Sequence, residues 1–377
     1  MTPPRVIIVG GGLSGLATLV ELRRLGLDAL VLDQGPEPGN SWARRYDNLR
    51  LNSVRWLSHM PGLRMPSTWG RWPSRDNMVT YTRAYAGPVY DALRYGVTVR
   101  RVVADRGRWR VEADDEQWQA DHVVVATGLY RHPVRPCWPG QATSRVRLLH
   151  AVDYRRPVDH EGERVVVVGP GVSGVDICSD LLRRTTGTVV LSVRTPPNLL
   201  PRELLGVPLQ PLSVTNRYSP VLVQDLGGRI VQRIGCGDLS KTPLGVSPEG
   251  MFSRLRRTGV NPAVDDGHFL PAVRAGRVEV VDEVVDLAPE GVRTRRGTCV
   301  AADTVITTTG YRSGLCELAP GVGAVAADGT PVQYGAANQA LAGRGLHLVG
   351  FSSPLTGHLR EMRIVAGRTA ARIARHH

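Results

Sequence analysis

Two glycine-rich loops, each set between an apolar strand and a helical stretch, constrain this chain more than any other feature. Val6 to Val9 runs into Gly10-Gly11-Gly12-Leu13-Ser14-Gly15, and Arg164 to Val168 runs into Gly169-Pro170-Gly171-Val172-Ser173-Gly174. In a G-x-G-x-x-G turn the first glycine permits a tight bend and the second lets backbone approach a pyrophosphate. The third lets helix and strand pack closely. Unpaired N–H groups and the positive end of the helix dipole then face the phosphates.

The flanking pattern supports this reading at both places. A helix is expected from Leu16 to Leu25, closed by Gly26, and a second strand, Ala29 to Asp33, ends on an acid. Asp33, with Gln34 after it, stands where a carboxylate can accept hydrogen bonds from a ribose diol. After the second loop a helix is expected to about Arg184, and the strand Thr188 to Arg194 closes on arginine. An acid there would repel a 2′-phosphate, whereas Arg194 can grip one, which favours NADPH over NADH. Arg202 is a weaker candidate for the same task.

The loops begin at Gly10 and Gly169, 159 positions apart, far too long for a solenoid repeat. The expected fold is α/β, with two Rossmann-like dinucleotide-binding domains, the second inserted into the first. Two similar strands, Asp121 to Gly128 and Asp303 to Gly310, each stop at Thr-Gly and look like the exits from these domains. The expected division is 1–155 for the first domain, 156–310 for the second and 311–377 for the C-terminal return. Within 195–270 only a short helix, Met251 to Arg257, is expected, the rest being loops. A final strand, Leu346 to Phe351, and a helix from Gly357 to about Ala374 should rejoin the first sheet.

Composition narrows the function. Five cysteines, Cys137, Cys178, Cys236, Cys299 and Cys316, form no CxxC pair, so neither a zinc knuckle nor a redox-active disulfide is encoded. No metal site is expected. The net charge is +13, but the arginines are scattered, not gathered into an aromatic-laced stripe, which argues against a nucleic-acid partner. No apolar run reaches about 18 residues, and the chain passes quickly into its first strand. A cytoplasmic protein with neither leader nor membrane span is expected. Two dinucleotide sites suggest one tightly held redox cofactor and one exchangeable reductant, as FAD with NADPH would be.

Further segments carry a resemblance. Gly39-Asn40-Ser41-Trp42, Tyr46 to Ser53, Met60-Pro61-Gly62 and Trp72-Pro73-Ser74-Arg75 are similar to landmarks of the flavin-containing monooxygenases. So are Ala126-Thr127-Gly128, Thr308-Thr309-Gly310-Tyr311 and Leu348 to Gly357, while Gly237-Asp238-Leu239, Lys241-Thr242-Pro243 and Asn261 to Asp265 resemble the YUCCA-type branch and its bacterial relatives. The likeness covers nearly the whole chain. One departure stands out: His150 and Tyr154 keep the second half of the family fingerprint, but Ser144 and Val146 replace its phenylalanine and glycine.

The resemblance implies that FAD and NADPH are held by Gly10, Gly12, Ser14, Gly15, Asp33, Gln34, Trp42, Arg44, Thr127, Gly128, Gly350 and Leu355, and by Gly169, Gly171, Ser173, Gly174, Arg194, Thr309 and Gly310. It also implies a monooxygenase: NADPH reduces the flavin, a peroxyflavin forms with dioxygen, and one oxygen atom passes to a small substrate. Asn52 is the catalytic candidate, because a neutral amide can hydrogen-bond at the flavin without supplying a proton. Trp56, Trp69 and Trp72 are candidates for the pocket wall, and Arg55 and His59 for an anionic substrate. Oxygenation at nitrogen or sulfur is the first reading. Baeyer–Villiger or decarboxylating oxygenation of a carbonyl or 2-oxo acid, quinone reduction, and a non-catalytic nucleotide-binding module remain as alternatives. Expected partners are the small-molecule substrate and dioxygen; a homodimer is compatible with the chain.

Overall fold

The computed structural model describes residues 5–184, 186–326 and 330–376, so the start of the chain, Met1 to Pro4, lies outside it. The chain divides into two compact units. One comprises the residues up to Arg44, Ser53–His132 and Tyr311 onwards; the other comprises Arg45–Asn52 and Pro133–Gly310.

The first unit is built on a five-stranded parallel sheet, in the order Leu346–Leu348, His122–Val125, Val6–Val9, Leu30–Asp33 and Leu93–Tyr95. Val6–Val9 is buried along its whole length, as a strand covered on both faces requires. Helix Leu13–Arg24 lays Leu16, Leu19 and Leu22 into the core, each worth about 1.5–3 kcal/mol over exposure. It packs against the last helix, His358–Arg375, which contributes Ala366, Ala370 and Ile373. The C-terminal strand returns to this sheet by pairing in parallel with His122–Val125.

The second unit repeats the plan, in the order Val278–Val281, Val189–Ser192, Val165–Val168, Thr304–Thr307 and Arg147–His150, again all parallel. In both sheets the strand before the glycine loop lies between the strand that follows the loop helix and the strand that ends at Thr-Gly. The α/β fold with two Rossmann-like sheets, expected from the paired loops, is therefore present.

Two expectations need correction. The loop helices begin at Leu13 and Val172, the first of them three residues earlier than the apolar spacing suggested, because Gly12 and Gly171 serve directly as N-caps. The stretch 195–270 is also more ordered than expected. Besides Met251–Thr258 it contains helices Leu209–Asn216 and Val221–Cys236. Gly228 and Gly235 lie inside the second of these, where a Cβ would come within 2.7 Å of Met251 Sδ and 2.4 Å of Pro201 Cγ. They are close-packing positions. This helix is also turned polar side inward: Gln224 and Asp225 are buried while Leu222, Leu226, Ile230 and Ile234 face solvent. The Asp225 side chain accepts the backbone N–H of Phe252 at 2.7 Å, which gives this buried polar group a partner. No helix among the described residues is long and apolar enough to cross a membrane.

Candidate functional site

The first glycine loop forms an open cradle on a rigid base. Gly10 adopts φ +109°, and a Cβ there would lie 2.7 Å from the carbonyl oxygen of Ala126. A Cβ on Gly15 would lie 1.9 Å from the Gly10 carbonyl oxygen. Gly12 is different: a Cβ there would meet nothing within 4 Å, and no side chain caps the helix behind it. Gly12 therefore leaves open space beside the start of the helix.

The neighbouring residues fit a bound dinucleotide. Asp33 accepts the Gly11 N–H at 2.6 Å and the Gly35 N–H at 2.7 Å, so it braces the loop as well as ending its strand. The Thr127 hydroxyl is buried with no hydrogen-bond partner among the described residues, next to the peptide that Gly10 approaches. Gly350, at φ +87°, lets its strand end close onto Ser14; a Cβ there would lie 2.3 Å from Ser14 Oγ. Gly128 also holds a positive φ, +78°. Gln34 and Arg44 are exposed, while Trp42 and Leu355 are half-buried.

The second loop reproduces this geometry closely. Gly169 has φ +111° against +109° at Gly10, and the N-cap Gly171 has φ −77°, ψ −176° against −75°, −176° at Gly12. A Cβ on Gly174 would lie 2.0 Å from the Gly169 carbonyl oxygen, whereas one on Gly171 would meet nothing. Ser173 sits half-buried in the first helical turn. Thr308, which replaces the alanine of the first exit strand, directs its hydroxyl to the carbonyls of Val168 and Gly169 at 2.9 and 2.8 Å. It stiffens the loop, a role that its position after an apolar strand could have suggested.

Thr309 donates its hydroxyl to Val134 O at 2.5 Å. Gly310 O accepts from His150 Nε2 at 3.2 Å, while His150 Nδ1 accepts the Val152 N–H. His150 is fully buried, and burial lowers its pKa, so it is a neutral tie between strand ends. Arg194 is the outlying member: its side chain is 78% exposed and approaches Glu283 only to 3.9 Å. Glu283 is held much closer by Arg295, at 2.5 Å, so the Arg194 fork faces solvent with only a weak surface pair to give up.

Asn52 ends a strap, Arg45–Asn52, that is pinned within the second unit. The Tyr46 hydroxyl donates to Asp176 at 3.1 Å, and the Asn48 amide donates to Asp180 at 2.8 Å. Tyr154 donates to the other Asp180 oxygen at 2.9 Å. Asp176 and Asp180 lie one turn apart on the loop helix, so a single helix face holds the strap. Asn52 itself is half-buried, and its side-chain oxygen accepts both Nε and Nη2 of Arg202, at 3.1 and 2.8 Å. Arg202, the weaker candidate for a 2′-phosphate, turns its fork to Asn52.

Desolvation pushes the Asp176 carboxyl up to about 7, against the pull of Arg202 and the Tyr46 hydroxyl. An acid whose pKa rises on folding adds stability below its unfolded value, and that stability drains away as pH climbs towards about 7. Asp176→Asn keeps an acceptor for Tyr46 and removes the charge. Its melting temperature relative to the parent should therefore increase between pH ~4 and ~7, where the unfolded and folded carboxyls titrate. A difference that stays flat across that range would show that the carboxyl is already ionised.

The remaining candidates are occupied locally. Arg55 donates to Gly70 O and Met65 O, and Arg363 donates to His59 Nε2 at 2.6 Å. Burial and the Arg363 charge lower the His59 pKa, so His59 is neutral. Trp56 is 44% exposed.

Comparison with known proteins gives this geometry its context. Residues 7–203 match the family model described as pyridine nucleotide-disulphide oxidoreductase. Indole-3-pyruvate monooxygenase YUCCA1 of Oryza sativa subsp. japonica is 32% identical over 317 residues, covering 83% of this chain and 78% of that protein. The flavin-containing monooxygenase from Stenotrophomonas maltophilia superposes with a TM-score of 0.72 at 26% identity, over 98% of this chain and 99% of that one. Cyclohexanone monooxygenase from Rhodococcus sp. Phi1 shares the fold, with a TM-score of 0.68 at 17% identity over 99% of this chain and 85% of that one. With two matched cradles and no CxxC pair for a disulfide reaction, the chain belongs to the flavin-containing monooxygenase family and is an FAD- and NADPH-dependent monooxygenase.

Proposed function

We propose that the first cradle holds FAD, the second holds NADPH, and Asn52 serves the oxygen-transfer step on a small organic substrate. The observation that carries this reading is the near-identity of the two loops combined with their different strand ends. Asp33 suits a ribose diol, and Arg194 presents an accessible guanidinium where a 2′-phosphate would lie. When bound, FAD supplies hydride acceptance from NADPH and reaction with dioxygen. The protein binds, orients and keeps out bulk water. Trp42, Arg44, Gln34, Thr127, Gly128 and Leu355 join the FAD side in this reading, and Ser173, Thr309 and Gly310 the NADPH side.

Oxygenation at nitrogen or sulfur is the reading we favour. It follows from the flavin-containing monooxygenase landmarks that the chain carries at Tyr46 to Ser53 and Thr308 to Tyr311. A second reading has its own support: the curated relatives are indole-3-pyruvate monooxygenases, and indole-3-pyruvate is a 2-oxo acid. We place the chain in a YUCCA-like bacterial branch. One lysine among 47 basic residues suits a high-GC bacterial source, and scattered cysteines suit the cytoplasm. A part in specialised metabolism and a homodimeric state belong to the same proposal.

Oxygen uptake with NADPH, measured against amines, sulfides and 2-oxo acids, tests the reading. Oxygenated amine or sulfide in step with NADPH oxidation supports the first reading, and release of carbon dioxide from a 2-oxo acid supports the second. Peroxide equal to all NADPH consumed, whatever the substrate, defeats both. For Arg194→Ala, KM for NADPH should rise about tenfold, the worth of one charge-assisted contact, while KM for NADH stays within twofold. Equal changes for both nucleotides would remove the 2′-phosphate role.

A further inference from the structure

The two hydrogen bonds from Arg202 to Asn52 limit what the asparagine can offer to a ligand. A carboxamide carries one acceptor end and one donor end, and a guanidinium carries donors only. The side-chain oxygen must therefore be the atom turned to Arg202, and the contacts at 3.1 and 2.8 Å occupy it from two nitrogens at once. The end of the half-buried Asn52 carboxamide that Arg202 leaves over is the NH₂ group. Flipping the amide would set NH₂ against the guanidinium and lose both bonds. Arg202 is itself anchored. Its backbone N–H donates to Asp265 O at 2.9 Å, and its charge lies close enough to Asp176 and Tyr46 to act on both.

We propose that Arg202 is a positioning residue, which holds the Asn52 carboxamide by its oxygen and so makes Asn52 a hydrogen-bond donor of fixed direction in the oxygen-transfer site. This rests on the reading of Asn52 given above. It goes further by assigning the polarity of the group and the residue that sets it. A donor of fixed direction is pre-organised for an oxygen that gains negative charge, and it needs no rearrangement at the moment of reaction. A freely flipping amide would present its acceptor for part of the time. Arg202 contacts no reacting atom in this scheme; it acts through Asn52.

Arg202→Met tests the proposal, because Tyr46, Asn48 and Asp47 still pin the strap when the guanidinium is gone. The apoprotein, labelled with ¹⁵N only at asparagine, reports on the amide without any cofactor. The Asn52 side-chain resonances, assigned by their loss in Asn52→Ala, should shift in Arg202→Met, while those of Asn48 stay in place. In the FAD-loaded enzyme, Arg202→Met should raise the share of NADPH turnover that ends as hydrogen peroxide severalfold. FAD content and KM for NADPH should stay within twofold. Combining Arg202→Met with Asn52→Ala should add nothing to Asn52→Ala alone, and Arg202→Lys should recover part of the coupling.

A peroxide share unchanged in Arg202→Met but raised in Asn52→Ala overturns the role of Arg202. A tenfold rise in KM for NADPH, with KM for NADH unchanged, overturns it in favour of a phosphate contact. An unchanged peroxide share in Asn52→Ala itself overturns the reading of Asn52 on which the proposal rests.

Discussion

Gly12→Val is expected to give a folded chain that no longer retains FAD. At φ −75° the backbone suits any residue, and a Cβ would meet nothing within 4 Å, so the fold should lose only about 1 kcal/mol, the cost of a poorer N-cap. The valine side chain would instead fill the space in front of the helix N–H groups. Two hydrogen bonds to charged phosphate oxygens, each worth about 1.5–3 kcal/mol, would be blocked, and FAD affinity should fall at least ~10²-fold. The purified variant should be colourless, with a parent-like circular dichroism spectrum. Gly171→Val is the matching test of the second cradle: FAD retained, KM for NADPH raised by a similar factor. Valine at Gly15 or Gly174 should behave differently, because the Cβ would overlap a backbone carbonyl at 1.9 or 2.0 Å and the strand–helix turn could not close. A yellow Gly12→Val protein with normal FAD affinity would refute the first cradle as the FAD site.

Asn52→Ala is expected to have the next largest effect. The variant should bind FAD normally and accept hydride from NADPH, yet make oxygenated product ~10²–10³-fold more slowly, as when a pre-organised donor is removed from other oxyanion-stabilising sites. Most of the NADPH consumed should then appear as hydrogen peroxide. The substitution also leaves Arg202 without the oxygen that accepts two of its nitrogens, so a fall in melting temperature of a few degrees should accompany it. Product yield and peroxide, measured per NADPH oxidised, decide the matter. An unchanged ratio would leave Asn52 as a structural end to the strap.

The parts of the site that could be read along the chain are those that local backbone geometry demands. Gly10, Gly15 and Gly174 must be glycine because a backbone carbonyl stands where a Cβ would go, and Gly169 because of its φ of +111° and the Thr308 hydroxyl 2.9 Å from a Cβ. Asp33 ends its strand, and Arg194 lies two residues past the strand Val189–Ser192, which stops short of the expected end at Arg194; both distances from the loops are set by one helix and one turn. Helix Val221–Cys236 was harder to read. Its glycines look like breaks until Met251 and Pro201 are seen packed against them, and its apolar stripe faces outward because its polar side chains tie neighbouring loops and helices together.

The amino-acid sequence by itself determined that two phosphate cradles would form, since each is specified by consecutive residues whose φ, size and hydrogen-bonding needs act over a few ångströms. Only the tertiary structure decided what Asn52 meets. Arg202 lies 150 residues further on and could as well have turned to a phosphate. Its direction follows from the strap 45–52 being pinned to Asp176 and Asp180, and from the Arg202 backbone being fixed beside Asp265. Such long-range pairings have no signature in local propensity, because they exist only once packing has brought the donors and acceptors within reach.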